Sequence, residues 1–168
     1  SIQDSYRLYL ALLFSKKPIV TGAFTNKTVT EMIDMLAILA GGHEAARNKP
    51  RAIFDVCPAP PLIWSNFASG NLIALARAGI PAEIVSVPLS GAAAPVTMLG
   101  TVTQHTAECL AGITIHQLAK AGSPIVWGGA ACIFDMKKGA TPMGSVETAM
   151  LDCSYAQVAK SLNMPTHA

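Results

Sequence analysis

The chain has 168 residues, the size of one domain. Half of them (51%) are apolar, mean hydropathy is +0.41, and only 13% are charged, about half the usual globular share, which excludes a disordered tail. A net charge of +2 offers almost no attraction for phosphate, so no nucleic-acid partner is expected.

Helix is predicted first, over Ser1–Phe14. The β-branched run Lys17–Thr21 (KPIVT) follows as a strand. Thr28–Ala40 reads as a helix, with Thr28 and Glu31 at capping-box spacing and Gly41-Gly42 as its stop. Arg51–Cys57 (RAIFDVC) is the second strand, and Trp64–Ala78 is a helix closed by Gly79 and Pro81. Ala82–Pro88 (AEIVSVP) is the third strand. Pro95–Ala121 is a long helix with Pro at its first position and Gly122 at its end, and Gly100 as a candidate break. Ser123–Trp127 (SPIVW) is the fourth strand, and Ser145–Leu162 is a helix opened by Ser145 with Glu147 in its first turn.

The strand runs are apolar throughout rather than alternating, the pattern of strands buried on both faces of a parallel sheet. Strand starts lie about 31 to 41 residues apart, one βα unit each. The fold class is therefore α/β, with parallel βα units and right-handed crossovers. The loops after the strands (CPAPP, PLSGAAAP, WGGAA) form the ligand face of such folds. A closed (β/α)8 TIM barrel needs about 250 residues, so four strands make about half of one. Either the chain is an open α/β layer, or it is a single segment, 1–168, of a full barrel, cut at both ends. The sparse charge favours the second. It also implies surface covered by more of the same polypeptide or by copies in a homo-oligomer.

The cysteines, Cys57, Cys109, Cys132 and Cys153, form no C-x-x-C, so neither a zinc ribbon nor a disulfide framework is expected. The start, Ser1-Ile2-Gln3-Asp4, has neither the basic opening nor the apolar run of a signal peptide, nor a methionine. The chain is expected to be processed or cut from something longer. Leu110–Ala119, the most apolar stretch, is interrupted by His116 and Gln117, so no membrane span is expected and the cytoplasm is the default location.

Gln104-His105-Thr106-Ala107-Glu108 is the densest polar cluster. On a helix, His105 and Glu108 share a face, as do Gln104 and Glu108. Such a group suits acid–base work in a substrate pocket or a structural hydrogen-bond network, and no metal site is expected from it. Asp55, inside the second strand, fits either a strand-end catalytic carboxylate or a cap on neighbouring N–H groups. Ser90–Pro95 joins a strand to a helix, and its small residues could turn amides toward a carboxylate or phosphate, or simply make a tight turn. Gly128 and Gly129 allow a close approach to the backbone. Trp64, Trp127 and Phe134 could face a cation or serve as packing. His116 reads as a helix-face residue, His43 as a solvated turn and His167 as a frayed end.

The run from Pro88 to Pro165 resembles the trimethylamine methyltransferase family. Its landmarks are Ala94-Pro95-Val96-Thr97, Gln104-His105, Ala107-Glu108, Leu110-Ala111-Gly112, Gly128-Gly129, Asp135-Met136, Gly139, Gly144, Glu147 and the Leu-x-x-Pro ending at Pro165. The likeness spans about Ala52 to Pro165. It implies a (β/α)8 barrel that moves a methyl group from a methylated amine to the cobalt of a corrinoid (cobalamin) carried by a separate, cognate corrinoid protein. No corrinoid is expected within this chain itself. Trimethylamine-specific members of the family carry a pyrrolysine on a loop that would lie beyond Pro165, and none of these residues is pyrrolysine. The resemblance thus implies as substrate either trimethylamine or a quaternary amine such as glycine betaine.

From their positions at strand ends, Asp55, Ser90, Gln104, His105 and Glu108 are expected to line the substrate cavity, with Gly128 and Gly129 leaving room for the corrinoid. Two rival readings remain: a non-catalytic barrel fragment that acts only by associating with other chains, and an unrelated (β/α) enzyme binding a phosphorylated substrate at Ser90–Pro95.

Overall fold

The computed structural model describes residues 2–167. Helix α1 (Ile2–Phe14) leads into the short strand β1 (Ile19–Thr21). Helix α2 (Asn26–Ala40) starts earlier than its sequence suggests. Its N-cap is Thr25, whose hydroxyl accepts the Thr28 N–H at 3.0 Å, while Thr28 is buried inside the first turn. At the other end Gly41, at φ 86°, lets the chain turn left-handed, and the Gly42 N–H reaches back to the Ala37 carbonyl at 2.8 Å. A short helix, α3 (His43–Asn48), follows at once where a turn was expected, and His43 is exposed on it.

Strand β2 (Ala52–Val56) pairs in parallel with β1, Ile19 opposite Ala52 and Thr21 opposite Phe54. Helix α4 (Asn66–Ala78) returns the chain to β3 (Ala82–Ser86). A two-residue strand, β4 (Leu89–Ser90), precedes α5 (Met98–Ala119). Helix α5 begins at Met98 rather than Pro95, because Thr97 takes the cap position and its hydroxyl accepts the Gly100 N–H at 3.2 Å. Gly100 does not break the helix. Strand β5 (Ile125–Gly129), a second two-residue strand β6 (Cys132–Ile133) and α6 (Val146–Ser161), capped by Ser145 as expected, complete the order.

The main sheet runs β1-β2-β3-β5, all parallel, as βα units of the kind that build (β/α) barrels. The backbone bonds Phe54 N–H to Pro81 O and Ala82 N–H to Pro124 O carry the ladder onward. β4 and β6 pair in parallel as a separate two-stranded sheet. The expectation of strands buried on both faces fails at β1 and β2: in β1 Val20 is exposed, and Ile19 and Thr21 are only half-buried. β2 is not buried on both faces, since Ala52, Phe54 and Val56 are buried while Ile53 and Asp55 are only half-buried. Beside β5, Pro165–His167 pair in parallel with Trp127 through one isolated bridge. Trp127 N–H donates to Pro165 O at 2.9 Å, and His167 N–H donates to Trp127 O at 3.0 Å. The backbone of His167 is thus paired rather than frayed.

The chain divides into two compact units. The first gathers the residues through Val56, Asn66–Glu83 and Thr114–Ile125, with Val29, Met32, Leu36, Phe54, Leu72 and Leu75 in its core. Its α1 and α2 leave large apolar side chains in water, Phe14 at 82% and Ile38 at 83% exposed. That is where the shortage of charge is spent. The second unit holds Cys57–Ser65, Ile84–Ile113 and the residues from Val126, around Ile84, Trp127, Leu151 and Tyr155. No helix among the described residues is long and apolar enough to cross a membrane.

Removing the Thr25 cap by Thr25→Ala leaves the Thr28 N–H without its acceptor and takes away the 2.7 Å contact between the two hydroxyls. The expected loss is about 1 kcal/mol, read as a lower urea midpoint with an unchanged slope.

Candidate functional site

Helix α5 presents two adjacent stripes of side chains at i, i+4 spacing. The first is Gln104 and Glu108. Glu108 is 1% exposed. A carboxylate so far from water needs donors, and it has three. Ser86 Oγ, at the end of β3, donates to Oε2 at 2.6 Å; Leu62 N–H donates to Oε1 at 2.9 Å; Gln104 Nε2 donates to Oε1 at 3.0 Å. Gln104 also donates to Ala93 O at 2.9 Å. Trp64 Nε1–H donates to the Glu108 carbonyl at 3.1 Å, and its ring lies where a Cβ on Gly112 would fall. One carboxylate therefore ties together the loop after β2, the end of β3 and α5.

The second stripe is His105 and Cys109, both buried. The His105 ring stacks on Tyr155 of α6, centroids 4.4 Å apart and 18° from parallel, and leans against Trp127 at 6.0 Å. It occupies the space a Cβ on Gly129 would take, so only glycine fits there. Tyr155 donates its hydroxyl to Gly129 O at 2.8 Å. Burial lowers the His105 pKa from 6.5 to about 4, partly opposed by a backbone hydrogen bond to Gly128. Burial first, and the Glu108 charge second, push the Cys109 thiol upward, so it stays protonated and is no nucleophile. The imidazole is neutral at physiological pH.

The sequence-derived candidates thus separate. Gln104, Glu108 and Ser86 form one network; His105, Gly128 and Gly129 belong to the other. His105 and Glu108 are each held by their own neighbours. Ser90 is 5% exposed, and its hydroxyl donates to the Pro95 and Val96 carbonyls, both at 3.1 Å. The amides of Gly91, Ala92 and Ala94 are bonded to carbonyls of the same turn, which leaves them no anion to hold. Trp127 is fully buried, with no face for a cation.

Asp55 lies in the first unit, where it lines a cavity of about 420 Å³ with Arg7, Thr21, Gly22 and Phe24 at the end of β1. Among the described residues, no three His, Cys, Asp or Glu side chains cluster as metal ligands would. Tyr155 and Ser86 escaped the sequence reading. The partner of Tyr155 is a backbone carbonyl 26 residues away, and Ser86 sits in a strand with no motif around it.

Two outcomes follow from the two stripes. Glu108→Gln would set an NH2 against at least one of the present donors. It is expected to cost roughly 2 kcal/mol in chemical denaturation. For His105 the folded pKa lies below the unfolded one. Between pH 6.5 and about 4 the unfolded chain binds a proton that the folded chain refuses, so stability falls as pH falls and is flat above the window. Going from pH 7 to pH 5 is expected to remove about 2 kcal/mol more from the wild type than from His105→Gln, measured by urea titration at both pH values.

The trimethylamine methyltransferase (MTTB) family model matches residues 2–168. Among curated proteins, the trimethylamine methyltransferase MttB of Desulfitobacterium hafniense is 34% identical over 90% of this chain and 31% of its own length. MttB1 of Methanosarcina mazei is 39% identical over 77% of this chain and 26% of its own. The glycine betaine methyltransferase of Desulfitobacterium hafniense is 29% identical over 96% of this chain and 34% of its own. The chain thus spans about a third or less of the length of these relatives. On the match along its whole described length, and on the parallel βα frame that carries it, this chain belongs to the trimethylamine methyltransferase family.

Proposed function

We propose that this chain is part of a methyltransferase that takes a methyl group from a methylated amine, trimethylamine or a quaternary amine such as glycine betaine. The acceptor is the Co(I) corrinoid carried by a cognate partner protein. The observation that carries this reading is the pair of relatives named for those two amines, matched over 90% and 96% of the chain on one parallel βα frame.

In the transfer, the N–CH3 bond breaks and its electron pair stays on nitrogen. The methyl carbon accepts a pair from Co(I), which ends as methyl-Co(III). A quaternary ammonium leaves as a neutral amine, so the protein's task is to aim one methyl group and exclude water. The ends of the parallel strands are where such folds place ligands. Of the named candidates, Asp55 opens onto a cavity and can compensate the charge of an ammonium there. In the second unit, Gln104, Glu108 and Ser86 hold the loop after β2 against the end of β3, and His105 holds the end of β5. The exposed apolar side chains of α1 and α2 suit covering by the rest of the polypeptide or by another copy in a homo-oligomer. A cytoplasmic location fits the reduced corrinoid the reaction needs.

The full-length protein incubated with reduced cobalamin and each amine in turn is expected to give the absorbance of methylcobalamin with at least one of them. No methylation from trimethylamine, glycine betaine or a close N-methyl relative refutes the reading.

A further inference from the structure

The end of β5 is built from residues that do little to fix themselves. Gly128 and Gly129 carry no side chains, and glycine is the residue with most backbone freedom to lose. Yet the groups along this stretch are tied down from several directions. Gly129 O accepts the Tyr155 hydroxyl at 2.8 Å, from α6. Gly128 O has the Cys109 thiol at 3.8 Å, from α5. Ala130 N–H donates to Ser86 O at 3.0 Å, and the Ser86 side chain is itself held by Glu108. The His105 ring fills the space beside Gly129 and is clamped in turn by its stack on Tyr155. A Gly-Gly strand end backed by a buried histidine and a buried tyrosine is a flexible segment made rigid by other elements.

We infer that Tyr155, with His105 stacked on it, is a positioning residue that fixes the Gly129–Ala130 peptide at the rim of β5 for methyl transfer. The inference rests on the proposed function. Its physical content is separate: one hydroxyl and one ring set the placement of a loop origin on the face where barrels bind ligands. Displacement of a rim by a fraction of an ångström matters most to a reaction that depends on aim, and far less to the affinity for the amine.

The test compares full-length wild type with Tyr155→Phe, which keeps the ring stack and removes only the hydroxyl. The rate of cobalamin methylation is expected to fall about 10-fold in kcat, with KM for the amine within about 2-fold. Hydrogen exchange at the Ala130 amide is expected to quicken about 10-fold or more, while exchange in the core of α4 stays as in the wild type. Unchanged exchange at Ala130 overturns the inference. So does faster exchange with unchanged kcat, and so does a loss spread evenly over all amides, which is plain destabilisation. Wild-type protein that methylates cobalamin from no methylated amine removes the proposed function instead, and with it the reaction this rim would serve.

Discussion

A carboxylate that has left water must be given donors, and in the second unit the surroundings of Glu108 are arranged by that need. Its three donors come from three segments far apart in sequence: a strand end, a loop amide and the preceding turn of its own helix. The loop amide belongs to Leu62, which stands at φ 59°, a left-handed conformation that a leucine holds only when its neighbours insist. Its bond to Glu108 is one such insistence. The carboxylate therefore sets the path of the loop after β2, and with it the seat of Trp64 on α5 at Gly112.

The neighbouring stripe of α5 works by shape rather than charge. His105 and Cys109 lie one residue on from Gln104 and Glu108, about 100° further round the helix. They meet β5 and α6, whereas the first stripe meets β3 and the loop. The remaining face of α5, with Leu99, Thr103, Ala107, Leu110, Ala111, Thr114 and Leu118, is exposed yet mostly apolar, which is why the sequence shows no clean polar face. Glycine at 129 is a consequence of this arrangement, since the imidazole takes the volume a side chain would need.

Much of the fold was legible because its signals are local. The strands β1, β2, β3 and β5 are short β-branched runs, and the helices between them end at glycines such as Gly41 and Gly79, both at positive φ. Boundaries failed where a side chain rather than a pattern decides them. Thr28 has capping-box spacing to Glu31, yet it is Thr25, in extended conformation, whose hydroxyl accepts the Thr28 N–H and opens the helix. The Pro95 start failed because the Pro95 carbonyl is taken by the Ser90 and Thr101 hydroxyls, which hold that residue in a turn. β4 and β6, at two residues each, are too short to have a period. In the site, Gln104–Glu108 was readable from its spacing. Ser86 and Tyr155 were not, because what makes them matter is a partner brought near by the sheet.

The buried groups of this cluster are set up to hold shape rather than to move protons. His105 is neutral down to about pH 4, Cys109 keeps its proton, and both Glu108 oxygens already accept hydrogen bonds. A histidine and a thiol shifted in this way make poor general acids or bases, which work best with a pKa near the working pH. They make good walls. Within this cluster the side chains of α5 therefore act by geometry, fixing the loop after β2 through Glu108 and the end of β5 through the volume of His105.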